Sequence, residues 1–155
     1  MVVNPRQYAL YHIKRKQLSN FEEVLPTVFA YCDEIQESFD FLYDFSGRKR
    51  ARVIRLEDLE ANELSVVSEL YKFAGYKWRG VNAQDLQKWA EHYQLEPNEW
   101  RTTLPFDLVD TIDNYCRKTM DQIGYLPVRN DFILTDLHID LNGENYIDQT
   151  IQNLK

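Results

Sequence analysis

Two short segments carry half of the 18 lysines and arginines of the chain, and either could hold a phosphate or a sulfate group. The first contains Arg6, Lys14, Arg15 and Lys16, and the second contains Arg48, Lys49, Arg50, Arg52 and Arg55. Both side-chain types bind such oxyanions through charge-assisted hydrogen bonds. The alternative is a solvated surface that balances the acidic run between Asp33 and Asp44.

Aromatic and basic side chains alternate in the first predicted helix. Tyr8, Tyr11 and His12 share one face of that helix, and Lys14 lies nearby. Aromatic rings beside cations are typical of surfaces that stack a nucleotide base. A helix packed on a sheet, with a charged outer face, gives the same pattern.

Glu57 and Asp58 form an acidic pair directly after a predicted strand. Carboxylates at the end of a strand can be catalytic or can bind a metal. Helix capping and salt bridges to the nearby arginines are the alternative, and we favour it.

Other chemistry is excluded by spacing and composition. The three histidines, His12, His92 and His138, do not stand at metal-ligand spacing from a cysteine or from each other, so no metal site is expected. No serine lies in a Gly-x-Ser-x-Gly turn, and the five glycines are isolated, which excludes a glycine-rich phosphate loop. A net charge of −7 argues against a nucleic-acid partner. The residues considered alone therefore reveal no catalytic motif.

The composition predicts one folded domain without a membrane segment. The chain has 155 residues, of which 44% are hydrophobic and 14% aromatic, enough for a core. No apolar run reaches the roughly 18 residues of a transmembrane helix, and no signal peptide opens the chain. The two cysteines, Cys32 and Cys116, lie at apolar helical positions, so buried free thiols are favoured over a disulfide.

Helices dominate the predicted elements. Asn4 and Pro5 begin a helix that runs to about Lys16. Ser19-x-x-Glu22 is a capping box for a second helical region, which should kink or restart at Pro26 and end at Ser46-Gly47. The further expected helices are Glu63–Ala74, capped by Asn62 and stopped by Gly75, then Asn82–Tyr93, and Leu104–Ile123, with Thr103 as its cap and Gly124 as its end.

One strand is expected at Ala51–Leu56. A single strand cannot satisfy its own backbone groups, so its partners come from outside the chain, or from Val2-Val3 and the tail. The tail, residues 126–155, alternates around Phe132–Leu134 and Leu137–Ile139 and has a turn signal at Asn142-Gly143. It forms a hairpin or is partly disordered.

Four segments, in order, resemble the C-terminal half of a sulfotransferase that uses 3′-phosphoadenosine 5′-phosphosulfate (PAPS), most closely in the carbohydrate, Golgi-type branch. Arg52–Leu59 resembles the late strand and the Tyr-Glu-Asp-Leu element of that family. Leu70–Gly75 stands in place of its Leu-x-x-Phe-Leu-Gly helix, and Trp100–Tyr125 resembles its closing helix. Val3–Arg6 resembles the Arg-Asp-Pro-Arg turn that opens the helix holding the 3′-phosphate of the donor.

The resemblance implies an α/β fold: the C-terminal portion of the sulfotransferase P-loop-like fold, mostly helical with one or two short strands, over residues 2–125. It also implies PAPS as the donor, a carbohydrate hydroxyl as the acceptor, no metal, and the Golgi lumen as the location.

The same resemblance identifies the candidate donor-binding residues, Arg6 and Tyr11. In the family, the arginine opening the turn and a serine eight residues later bind the 3′-phosphate. This chain has Val3 and Tyr11 at those positions, and a tyrosine hydroxyl donates one hydrogen bond. Arg6 and the 48–55 cluster are the substitutes for the missing cation, since Tyr93-Gln94-Leu95 supplies none where the cytosolic branch has Arg-Lys-Gly.

In the family, the 5′-phosphosulfate loop and the catalytic base precede the turn at Val3. The resemblance therefore implies that the chain lacks them, contains no catalytic residue and is inactive alone. One alternative is a degenerate relative that binds a nucleotide or a sulfated glycan without catalysis. Another is a non-catalytic helical interaction module.

Overall fold

The computed structural model describes residues 2–44, 53–61, 63–77, 98–138 and 140–142. Helices account for most of them. In chain order these are α1 Pro5–Lys16, α2 Leu25–Asp44, α3 Leu56–Ala61, α4 Glu63–Phe73, α5 Trp100–Thr103, α6 Phe106–Tyr115, α7 Arg117–Ile123 and α8 Asp131–Thr135. A 3₁₀ turn, Phe21–Val24, precedes α2.

Helix α1 has the bounds predicted from the sequence. The side chain of Asn4 accepts a hydrogen bond from the backbone N–H of Arg6 (3.0 Å), and Pro5 occupies the first helical position, where no donor is needed. At the other end, Gln17 has a left-handed conformation (φ +52°), and its backbone N–H donates to the carbonyls of Ile13 and Lys14. The buried face of α1 consists of Pro5, Arg6, Ala9, Leu10 and Ile13.

The entry to α2 differs from the predicted capping box. Asn20, not Ser19, is the cap, and its side chain accepts from the N–H of Glu22 (3.0 Å). The 3₁₀ turn then passes directly into α2, with Pro26 at the second helical position, where a missing N–H costs nothing. The restart at Pro26 is therefore confirmed. The predicted end at Ser46-Gly47 lies outside the described residues.

The strand expected at Ala51–Leu56 is reduced to a single bridge in the described part of that segment, residues 53–56. Val2 and Arg55 pair in parallel: the N–H of Val2 donates to Ile54 (2.8 Å), and the N–H of Leu56 donates to Val2 (3.0 Å). Helix α3 begins at Leu56, because Glu57 and Asp58 in the first turn favour a helix start. The expectation that Val2 supplies a partner is confirmed.

Helix α4 ends close to its predicted stop. Its last residue is Phe73, and Gly75 follows with φ +78°, a conformation that favours glycine. The predicted cap Asn62 and the predicted helix at residues 82–93 lie outside the described residues.

The closing helix predicted at Leu104–Ile123 is broken in the structure. Thr103 does not cap it but ends α5, with its hydroxyl bonded to the carbonyl of Glu99 (3.0 Å). Pro105, in an extended conformation, precedes α6, and Cys116 (ψ 8°) separates α6 from α7. Gly124 ends α7 with φ +89°, as predicted.

The first part of the tail is helical where the alternation suggested a strand. Asn130 caps α8 through its side chain, which accepts from the N–H of Ile133 (2.9 Å). Further along, Tyr125 and Asn142 form an antiparallel bridge, and Leu141 is buried. The turn predicted at Asn142-Gly143 extends outside the described residues.

The expectation of two free thiols is wrong, because Cys32 and Cys116 form a disulfide. Their Cα atoms lie 5.6 Å apart, although 84 positions separate them in the chain. Both are almost fully buried, at 2% and 1% exposure. The packing of α2 against α6 and α7 brings Cys32 and Cys116 together. Their positions in the sequence could not indicate this tertiary contact.

The described part of the chain is thus a helical assembly with one core. That core is built mainly from α1, α2, α6 and α7. No regular strand occurs in the described ranges; the only pairings there are the two isolated bridges at Val2 and Tyr125. The mostly helical character is confirmed, while a sheet is not seen in these residues.

Candidate functional site

The turn that opens α1 lies against the segment around Glu57. The carboxylate of Glu57 accepts a hydrogen bond from the backbone N–H of Asn4 (3.3 Å) and another from the hydroxyl of Tyr125 (2.7 Å). Glu57 thereby joins the opening turn to the residue that follows α7. All three residues are buried.

Burial sets the acid–base behaviour of this pair. Desolvation raises the pKa of Glu57, although its hydrogen bonds from Tyr125 and Asn4 act in the opposite direction. Desolvation, together with the adjacent Glu57 carboxylate, raises the pKa of the Tyr125 hydroxyl. Tyr125 therefore stays a neutral donor to the carboxylate at every physiological pH.

Arg55 is held between α3 and the end of α7. Its Nε and Nη2 donate to the two carboxylate oxygens of Asp58 (2.7 and 2.5 Å). Its Nη1 lies 3.4 Å from the carbonyl oxygens of Ile123 and Gly124. Asp58 thus forms a salt bridge with a nearby arginine, as the interpretation favoured from the sequence expected. Glu57 instead accepts hydrogen bonds from the N–H of the capping residue Asn4 and the hydroxyl of Tyr125.

The first predicted donor-binding residue, Arg6, points into the core. Its side chain is fully buried; Nε and Nη2 each lie 2.6 Å from an oxygen of Asp113, and Nη2 also donates to the carbonyl of Leu126 (2.8 Å). The guanidinium stacks over the ring of Trp100, 4.7 Å from its centroid. Only Nη1 has no hydrogen-bond partner.

The second predicted residue, Tyr11, lies on the outside of α1. Its side chain is 52% exposed, and its hydroxyl accepts a hydrogen bond from Nη1 of Arg15 (3.2 Å). The ring also meets the edge of His12. Burial, followed by the charges of Lys16 and Arg15, lowers the pKa of His12. The structure therefore does not bring Arg6 and Tyr11 together.

Stacked aromatic rings connect this outer surface to the opening turn. Tyr8 contacts His12 and stacks on Tyr31 with ring centroids 4.0 Å apart. The hydroxyl of Tyr31 accepts from the N–H of Val3 (2.9 Å) and donates to its carbonyl (3.1 Å). Within the described ranges, helix α1 packs on other helices and not on a sheet, so Tyr8 is a packing residue.

Two residues of this region were missed by sequence reasoning, Asp113 and Tyr31. Asp113 also accepts from the N–H of Val128 (2.7 Å) and is 3% exposed. A signal for it existed: Asp113 lies four residues after Val109 and three before Cys116, on the apolar stripe of the closing segment. A lone carboxylate on such a stripe needs a buried cation. Tyr31 offered no comparable signal.

The described residues hold no group of three or more His, Cys, Asp and Glu side chains arranged to bind a metal ion. In the same part of the chain, no helix combines the length and the apolar character needed to cross a membrane.

Comparison with known proteins identifies curated relatives. No protein-family model and no solved structure matches the chain. Carbohydrate sulfotransferase 3 of Mus musculus is 29% identical over 110 residues, which cover 63% of this chain and 23% of that protein. Carbohydrate sulfotransferase 4 of Mus musculus is 26% identical over 114 residues (64% and 29%), and carbohydrate sulfotransferase 5 is 30% identical over 112 residues (59% and 27%).

The chain therefore spans about a quarter of the length of the curated relatives it matches. Within that span, the comparisons confirm the resemblance inferred from the motifs: about 60% of this chain is similar to carbohydrate sulfotransferases, as a carbohydrate sulfotransferase-like C-terminal region.

Proposed function

We propose that this chain is the C-terminal, nucleotide-holding portion of a PAPS-dependent carbohydrate sulfotransferase with the P-loop-like fold. In the proposed reaction, the bond between the sulfuryl group and the phosphate of PAPS breaks. A new sulfur–oxygen bond forms to a sugar hydroxyl, which loses its proton. Adenosine 3′,5′-bisphosphate leaves, and a sulfated glycan is released. The glycan is the partner in this proposal, and no nucleic acid takes part.

The observation that supports the proposal most strongly is the convergence of three motif segments. Val2 pairs in parallel with Arg55, which joins the opening turn to the Glu-Asp-Leu segment. Glu57 bonds Tyr125, which joins that segment to the end of the closing helix. Arg6 bonds Asp113, which completes the set. A chance likeness of separate motifs gives no reason for them to meet in space.

In this proposal the chain holds the donor and performs no chemistry by itself. Sulfuryl transfer needs donors that stabilise the transferring group and a base for the acceptor proton, and we assign neither role to a residue here. Tyr11 contacts the 3′-phosphate of the donor. Arg6 fixes α1 behind it and has only Nη1 left for direct contact. Incubated alone with PAPS and a carbohydrate acceptor, the chain should transfer no sulfate; measurable transfer would refute this part of the proposal.

We also propose the Golgi lumen as the location. The buried disulfide between Cys32 and Cys116 supports it, since disulfides persist in the oxidising compartments of the secretory route. In protein isolated from that compartment, Cys32 and Cys116 should not react with thiol reagents before reduction. Reaction of both residues in protein isolated without reductant would argue against this location.

Isothermal calorimetry with adenosine 3′,5′-bisphosphate tests the proposal. The bisphosphate should bind, and adenosine 5′-monophosphate should bind at least tenfold more weakly, because it lacks the 3′-phosphate (about 1.4 kcal/mol for one charge-assisted contact). Absence of heat with millimolar bisphosphate would refute nucleotide binding and would favour the helical interaction module.

A further inference from the structure

The last turn of α1 carries two exposed cations, Arg15 beside Tyr11 and Lys16 near His12. Arg15 lies four residues after Tyr11 and so occupies the same side of the helix; its guanidinium is 5.9 Å from the centroid of the tyrosine ring and bonds the tyrosine hydroxyl. Lys16 lies four residues after His12 in the neighbouring row. All of these except His12 are exposed. In the described part of the chain, neither Arg15 nor Lys16 forms a salt bridge.

Three other described groups near the expected phosphate position are engaged elsewhere. Val3 has no polar side chain, and its backbone N–H and carbonyl group are both hydrogen-bonded to the hydroxyl of Tyr31. The side chain of Arg6 points into the core, and two of its nitrogens donate hydrogen bonds to Asp113. Lys14, the remaining cation of α1, is paired with Glu99. Among the described residues of this region, Arg15 and Lys16 are therefore the cations left for an anion.

We propose that Arg15 and Lys16, together with the hydroxyl of Tyr11, hold the 3′-phosphate of the donor on the last turn of α1. This inference rests on the proposed function and names the residues that replace the cation missing at Val3. The hydroxyl of Tyr11 accepts from Arg15 and keeps its own hydrogen for a phosphate oxygen. Arg15 offers a planar fork of donors, and Lys16 a compact point charge.

The electrostatics of the helix end make this binding depend on both cations. The carbonyl groups in the last turn of a helix carry partial negative charge, which opposes an anion. The anion is therefore stabilised only when the side-chain cations outweigh that charge. Since the site is exposed, binding should weaken as salt concentration rises.

Calorimetry on single variants tests the assignment. Arg15→Ala and Lys16→Ala should each raise the Kd for adenosine 3′,5′-bisphosphate about tenfold, the loss of one charge-assisted contact. Lys77→Ala, an exposed lysine beyond α4, is the matched control and should bind like the wild type. If the wild type binds and both α1 variants bind equally well, the inference is refuted. If the wild type does not bind, the proposed function itself fails.

The imidazole of His12 gives an independent readout of position. A phosphate beside Arg15 and Lys16 should offset the charges that lower the pKa of His12, so the bisphosphate should raise it in an NMR titration. Adenosine 5′-monophosphate at equal concentration should produce a smaller rise. A bound bisphosphate that leaves the His12 pKa unchanged would place the phosphate elsewhere. Inorganic sulfate is the probe for a sulfated glycan. An equal rise of the His12 pKa with sulfate alone would contradict nucleotide specificity.

Discussion

Arg6 and Asp113 show how a residue can match a functional motif and yet serve the core. The arginine follows the turn that resembles a donor-binding element, but its guanidinium is fully buried and bonded to a carboxylate that lies 107 positions away in the chain. Asp113 in turn accepts the N–H of Val128. The pair fixes α1 against α6 and the segment after α7.

Asp113→Asn should destabilise the protein by about 3–5 kcal/mol, because it leaves the Arg6 charge buried without a counterion. Urea unfolding measures the loss. Asp121→Asn removes a carboxylate that pairs with Arg117 at the surface, where both side chains are more than half exposed, and should change stability by about 1 kcal/mol or less. Equal effects of the two substitutions would mean that the Arg6–Asp113 pair is not buried in solution.

Glu57 predicts a pH dependence of stability. Burial raises its pKa above the ordinary value of 4.5, so the folded protein binds this proton more tightly than the unfolded chain does. Its stabilising contribution is complete below pH 4.5 and declines as the pH rises through the raised pKa. The unfolding free energy of the wild type relative to Glu57→Gln should therefore fall from acid to neutral pH. A difference that is constant or that grows over this range would contradict the buried placement.

The two candidate donor-binding residues, Arg6 and Tyr11, have different surroundings that the sequence did not distinguish. Helical periodicity placed Tyr8, Tyr11 and His12 on one face of α1 but did not indicate that Tyr11 is exposed. The burial of Arg6 could not be predicted, since it depends on a carboxylate from a distant helix. The bond between Tyr31 and the peptide groups of Val3 likewise depends on tertiary packing and leaves no local signal.

At the level of elements, the disulfide ties α2 to the junction of α6 and α7. Replacing both cysteines by alanine should cost about 2–5 kcal/mol, as expected for loss of a native crosslink. A reducing agent should lower the Tm of the wild type to about the Tm of the double alanine variant. It should leave the Tm of that variant unchanged. Two reactive thiols in the denatured, unreduced wild type would show that the crosslink does not form.

Gly75 provides a test of how α4 ends. Its φ of +78° is a left-handed conformation, and no atom of the described residues, apart from its chain neighbours, lies within 4 Å of the position that a Cβ would take. Gly75→Ala should therefore cost about 1–2 kcal/mol through backbone conformation alone. Gly75→Asn, which tolerates this conformation better, should cost less in the same thermal unfolding experiment. No loss in either variant would argue for a different end of α4.

Three helix ends that one or two local residues encode were predicted well, whereas the caps expected at Ser19 and Thr103 were wrong. Asn4-Pro5 gave the start of α1, and Gly75 and Gly124 gave the ends of α4 and α7. Elements that depend on tertiary partners were not predicted well. The strand expected near Ile54 is only one bridge with Val2. The closing helix is interrupted at Cys116, which forms the disulfide with Cys32. Periodicity describes which face of a helix is buried but not whether the helix is continuous.

At the scale of the whole molecule, the described residues hold together the opening turn, the segment around Glu57 and the end of the closing helix. Three arginines on different segments, Arg6, Arg55 and Arg101, are buried and bond carboxylates or backbone carbonyl groups on other segments. About 60% of the chain is similar to carbohydrate sulfotransferases. In the proposed function, donor binding is the activity that this part of the chain has on its own.

The most direct test is an NMR titration of the labelled chain with adenosine 3′,5′-bisphosphate, followed through its backbone amide signals. We predict saturable shifts concentrated on Tyr11, His12, Arg15 and Lys16, with the signals of α4 unchanged. Shifts confined to α4, or no saturable shifts at millimolar nucleotide, would contradict donor binding by the outer face of α1.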